Sequence, residues 1–223
     1  PKVYAYPLFA GRDQRTQAAN RQAGFIAARG GTEDPDRYYL CETEPCKPDS
    51  WFNLPSVIMG SANSRHISNH NRLLPILHET LSRRAWTILT YHSIGNPDGW
   101  GYYEYNEFLK DLDFIKNNDF WSGNFAAVTS YAIQRKGLQI QIGRYFGRAF
   151  PKQFEIYIGD GLDNTIYSEP LTLDFSFDES LSVQSVRIQP SPTVGDTIFT
   201  VDQNRLRLHV VPRERQYTLS FIF

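Results

Sequence analysis

The sequence predicts an α/β chain in two parts: parallel strands wrapped by helices over residues 1–140, then a small antiparallel β-sandwich over residues 141–223. Three observations predict it. Short apolar segments alternate with amphipathic helical ones along the first part, the pattern of parallel strands joined by helical crossovers. Near residues 137–150 the period falls to two: Leu171, Leu173, Phe175 and Phe177 in "LTLDFSF" point one way, and "RLRLHVV" and "YTLSFIF" repeat the pattern. Finally, 223 residues that are 41% hydrophobic can bury a sizeable core.

The elements follow in order. "VYAYPLF" reads as a strand ending at Pro7, and "RDQRTQAANRQAG" as a helix stopped by Gly24. "FIAARGG" is a buried strand closed by two glycines, followed by a long polar loop from Gly30 to Trp51. "NLPSVIMG" gives another strand. "NRLLPILHETLSRRA" gives a helix with Asn71 as N-cap and Pro75 tolerated near its start. "WTILTYHSI" is the next strand. "EYNEFLKDLDFIKNN" is an amphipathic helix with Phe108, Leu112 and Ile115 on one face. "FWSGN" reads as a short strand and "NFAAVTSYAIQRK" as the last helix.

Composition narrows the function classes. A net charge of −1 argues against a nucleic-acid binder held by bulk charge. No apolar run reaches the length of a membrane span. Aromatic residues make up 14% of the chain, which suits stacking on sugar faces and equally a β-rich core. Pro1 leads straight into a strand with no leader, which reads as an excerpt or a processed product. Cys41 and Cys46 in "LCETEPCKP" read as a small disulfide, implying an oxidising compartment, with two free thiols as the alternative.

His92 is the leading candidate for chemistry. It stands where an apolar strand meets a Gly, Pro, Asp and Trp loop, so it is either a proton donor or a core or rim histidine bonded to backbone. In the same loop Asp98, Trp100 and neighbouring tyrosines form either a sugar platform or a plug. His66 and His70 in "RHISNHN" have the spacing of a helical metal pair, but the segment reads as a solvated loop without a purposeful carboxylate. His78 and His209 read as surface residues. "YIGDGLDN" lacks the alternating ligands of a calcium loop and reads as a hairpin turn. No nucleophile elbow and no phosphate-cradling glycine loop occurs.

"VYAYPLF" with "AGFIAARGG", then "WTILTYHSIG…GW", then "FLKDLDFIKNNDFWSGNFAAVTSYAIQRK", resemble in order and spacing the second half of a polysaccharide deacetylase (NodB-homology, carbohydrate esterase) domain. "LDNTIYSEPLTLDFSF" resembles the β module that trails the barrel in secreted members. The resemblance implies the C-terminal part of a (β/α) barrel and a secreted or periplasmic location. It implies a divalent metal, usually zinc, that activates water against an N-acetyl amide. It gives His92 the general-acid role and Arg29 the orientation of the catalytic base. Tyr6 and Pro7 would line the substrate groove, and Trp100 would border the acetyl pocket or the sugar.

This chain departs from the family in specific ways. The "T-F-D-D-G" strand and the His-Ser/Thr-x-x-His motif, which supply the base and the metal ligands, do not occur. "RHISNH" comes at the wrong place in the order and has Ile67 where Ser or Thr belongs, so no metal ligand is assigned to it. Leu8 and Phe9 stand where the family prefers an aromatic residue and Gly. The implied partners are therefore an acetylated polysaccharide or oligosaccharide, and a complementary N-terminal barrel segment or partner chain to cover open strand edges. The alternative is a non-catalytic remnant that binds glycan or serves as an interaction module.

Overall fold

The computed structural model describes residues 2–9, 13–41, 50–144, 153–178, 185–189, 197–202, 204–213 and 215–222. They divide into two compact units, Pro1–Ala126 and Ala127–Phe223. The chain mixes helices with small sheets, none closed into a barrel among the described residues.

The first unit opens with β1 (Val3–Ala5) and α1 (Gln14–Gln22), followed by β2 (Ala27–Arg29). Asp13 caps α1 by accepting from the Thr16 N–H, and Gly24 takes φ +84° just past its end. β1 and β2 pair in parallel, with Ala5 opposite Arg29. β3 (Val57–Ile58), α2 (His70–Ser82) and β4 (Leu89–Thr90) come next, and β3 and β4 are again parallel. Parallel bridges from Arg29 to Leu54 and from Thr32 to Val57 join the two pairs. The strands thus run side by side in chain order, with their C-terminal ends along one edge. Ala27, Ala28, Leu54, Val57 and Met59 are fully buried or nearly so, as expected of parallel strands covered on both faces. Two short strands, β5 (Ser93–Ile94) and β6 (Tyr102–Tyr103), follow, and then α3 (Tyr105–Asn117).

Several details differ from the expectations. The N-cap of α2 is Asn69, whose side chain accepts from the Arg72 N–H, so His70 is the first helical residue and not part of a loop. On α3, Phe108 and Ile115 pack toward the core but Leu112 is exposed; Asp111 takes the buried position beside them. Three polar donors meet that carboxylate, which lets a charged residue occupy a core position. "FWSGN" carries no strand, having no ladder partner among the described residues. Within the loop from Gly30 to Trp51, Thr32 bridges to Val57 and Leu40 bridges antiparallel to Trp86, and Tyr38 and Leu40 are buried.

α4 (Phe125–Gly137) begins in the first unit and runs into the second. Its Gln134 is fully buried and exchanges two hydrogen bonds with the Glu169 backbone, donating to the carbonyl and accepting from the N–H. The second unit contains β7 (Gln139–Arg144), β8 (Gln153–Gly159), β9 (Leu171–Ser176), β10 (Ser185–Gln189), β11 (Thr197–Asp202), β12 (Arg205–Val210) and β13 (Arg215–Ile222). They form two antiparallel sheets, ordered β10-β13-β8-β7 and β11-β12-β9. Ile156, Ile158, Tyr217 and Leu219 of the first sheet share one apolar cluster with Leu173, Leu206, Leu208 and Val210 of the second. "YIGDGLDN" is not a hairpin turn: β8 pairs with β7 and β13 while β9 pairs with β12, so the segment crosses between sheets. β7 is an edge strand among the described residues, and its Ile140 and Ile142 are 41% and 60% exposed.

Candidate functional site

The C-terminal ends of the parallel strands gather the polar side chains. Directly after β1, a 3-10 turn at Pro7–Phe9 puts Leu8 and Phe9 at φ +51° and +57°. The turn lays the Phe9 ring over Gly31, where a Cβ would come within 2.6 Å of the ring. β2 ends in Arg29, which is half-buried; burial lowers its pKa below the usual guanidinium range. Its Nη1 lies 3.4 Å from Ser56 Oγ, and no carboxylate pairs with it among the described residues. Ser56 Oγ in turn donates to the Gly30 carbonyl and accepts from Thr90 Oγ1 at 3.0 Å.

His92 follows β4 on the same edge. Its ring meets Trp100 edge-on, with centroids 4.5 Å apart, and Phe9 at 6.3 Å. Partial desolvation, then the charges of Arg29 and His66, hold its pKa below the ordinary histidine value. Trp100 is itself 57% exposed, which leaves much of its surface open to a ligand. Its ring also meets His66 at 6.0 Å. His66 is buried, with Nε2 3.5 Å from Glu33 Oε1 and with no partner for Nδ1 among the described residues. Asn63 and Arg65 also reach Glu33, at 3.0 and 3.4 Å. Phe9, Gly31, Thr32, Glu33, Arg37 and Arg65 help to line a cavity of about 480 Å³. Phe9 is thus shared between this cavity and the surroundings of His92.

Of the residues expected at the site, Arg29, His92 and Trp100 therefore lie along one edge. Tyr6 is buried, and its hydroxyl donates to the Phe52 carbonyl at 2.9 Å, whereas Pro7 is exposed. Tyr6→Phe is expected to reduce unfolding free energy by about 1 kcal/mol in urea melts, because a buried carbonyl loses its donor. Cys41 is disulfide-bonded, and Cys46 lies outside the described residues. His66 and Glu33 come together from segments far apart in sequence, which is why local reading takes "RHISNHN" for a solvated loop.

Among the described residues no group of three His, Cys, Asp or Glu side chains is placed to hold a metal ion. No described helix is long and apolar enough to cross a membrane. Comparison of the chain with protein-family models, curated proteins and solved structures finds no match.

Proposed function

We propose that this chain is part of a secreted or periplasmic deacetylase that removes N-acetyl or O-acetyl groups from a polysaccharide, with His92 as proton donor. The observation that carries the reading is the placing of His92. It stands at the end of a parallel strand, beside an exposed indole, on the edge that carries Arg29 and a cavity of about 480 Å³. Strand ends of parallel α/β folds are where such chemistry collects. In this reading the parallel strands are the C-terminal part of a (β/α) barrel, and the two antiparallel sheets are a β-sandwich accessory domain.

His92 would protonate the departing amine or alkoxide of the sugar, with Trp100 flanking the sugar face. Arg29 supports an incomplete site. A half-buried guanidinium without a paired carboxylate is unfavourable, and a catalytic carboxylate from a complementary segment or partner chain would relieve it. Zinc or another divalent metal is part of the same proposal. The described residues do not fit it, because neither the His66–Glu33 pair nor the His70–Asp111 pair has a third ligand beside it. Its ligands are assigned to the complementary segment.

The lack of a ligand set among the described residues favours one second reading, a non-catalytic module that binds glycan or a protein partner. Acetate release from acetylated polysaccharides by the protein from its natural source separates the two. Release abolished by chelation and restored by zinc is the expected result. Glycan binding without release would establish the second reading.

A further inference from the structure

We infer that Asp111, on α3 directly after the loop and fully buried, is the positioning residue that fixes the loop carrying His92 and Trp100. This deepens the proton-donor reading of His92 and rests on it. The side chain of Asp111 is wholly inaccessible and accepts three hydrogen bonds. Tyr91 and Tyr103 each donate a phenol to the same oxygen, Oδ2, at 2.8 Å. His70 Nδ1 lies 2.8 Å from Oδ1.

The two phenols bracket the loop. Tyr91 immediately precedes His92, and Tyr103 closes the segment that holds Trp100 and Gly101. Both ends of the loop are therefore tied to one oxygen atom. Within it, Ser93 Oγ donates to the Trp100 carbonyl at 2.9 Å, and the Gly95 N–H donates to the Tyr103 carbonyl at 2.9 Å. Gly101 lies against His92, where a Cβ would be 3.4 Å from the histidine's own. Shifting either end would move His92 relative to Trp100. Burial, together with the Asp111 carboxylate, pushes both phenols well above the ordinary tyrosine range, so both remain donors throughout the working pH range.

The third contact has a different task. His70 begins α2, and its backbone N–H donates to Glu107 Oε2 at 2.8 Å while its ring meets Asp111 one turn further along α3. That contact joins the two helices, whereas the phenol contacts hold the loop. A purely structural carboxylate would serve stability alone; a positioning carboxylate also sets the ring geometry at His92.

The test is NMR cross-relaxation between the His92 ring and the Trp100 indole in the folded protein without substrate, so that it stands apart from any measurement of turnover. In the Tyr91→Phe, Tyr103→Phe double variant the ring packing is kept and both phenol bonds are gone. Loss of the His92–Trp100 cross-peaks is the expected result. Leu73→Ala, which opens the neighbouring core without touching these bonds, is expected to lower the melting temperature and keep the cross-peaks. If the double variant melts lower but keeps the cross-peaks, Asp111 is structural only and the inference is overturned. If the unaltered protein releases no acetate from acetylated polysaccharides while these cross-peaks behave as expected, the deacetylase reading fails and the positioning role stands.

Discussion

Replacing His92 by Ala is expected to reduce acetate release about 10²- to 10⁴-fold, the span usual for losing a positioned general acid. The fold is expected to survive, because the residue is exposed; unfolding free energy should stay within about 0.5 kcal/mol. Urea melts and acetate release on the same preparation check both halves. The pH dependence has a definite sign. His92 has a folded-state pKa below its ordinary value of 6.5, so the unfolded chain takes up the proton first as pH falls. Its neutral form contributes no penalty above that value, and stability is lost as pH falls from it toward the folded pKa. His92→Gln should therefore flatten the acid side of the stability profile. A donor must also be protonated, so the rate limb belonging to His92 should lie on the acid side of 6.5.

Gly60→Ala is expected to be strongly damaging, because the added methyl would meet backbone at a strained φ. Gly60 has φ +120°, where an L side chain is strained, and a Cβ there would stand 2.2 Å from the Gly101 carbonyl oxygen. The opposing atom is backbone and cannot rotate away. Gly101 itself holds φ +68° and abuts His92, so relief would move the loop that carries the histidine. Strain and overlap together should cost about 3 kcal/mol or more. Gly24→Ala is the matched control. Its φ is +84° with nothing within 4 Å of the added methyl, so about 1 kcal/mol of backbone strain is expected alone. Equal midpoints in urea for the two variants would show that the contact with Gly101 is unimportant.

Local pattern exposes some of this and hides the rest. The alternation of Leu171, Leu173 and Phe175 reads directly as a strand, because a sheet with one covered face has a period of two. His92 stands out because an apolar strand ends beside it in turn-forming residues. Asp111 does not stand out. Helical periodicity sends charged residues outward, and only the later meeting of Tyr91, Tyr103 and His70 makes burial tolerable. Leu112, placed by helical spacing on one face with Phe108 and Ile115, is 44% exposed, because Asp111 takes the buried position beside it. Glu33 and His66 are separated by most of a strand-and-loop unit, so their pairing belongs to the fold and has no local signature. Tyr6 looks like a groove residue beside Pro7, yet its hydroxyl finds a carbonyl inside the core.

The outermost strand of the four-stranded sheet bears on how this protein behaves at high concentration. Ile140 and Ile142 sit opposite Ile158 and Ile156, which are almost wholly covered, while they themselves stay open to water. Two β-branched side chains on a strand that is outermost among the described residues form a template for intermolecular pairing. Ile142→Lys places a gatekeeper charge on that edge with little packing to lose, and it is the substitution to make before crystallisation or scattering at high concentration.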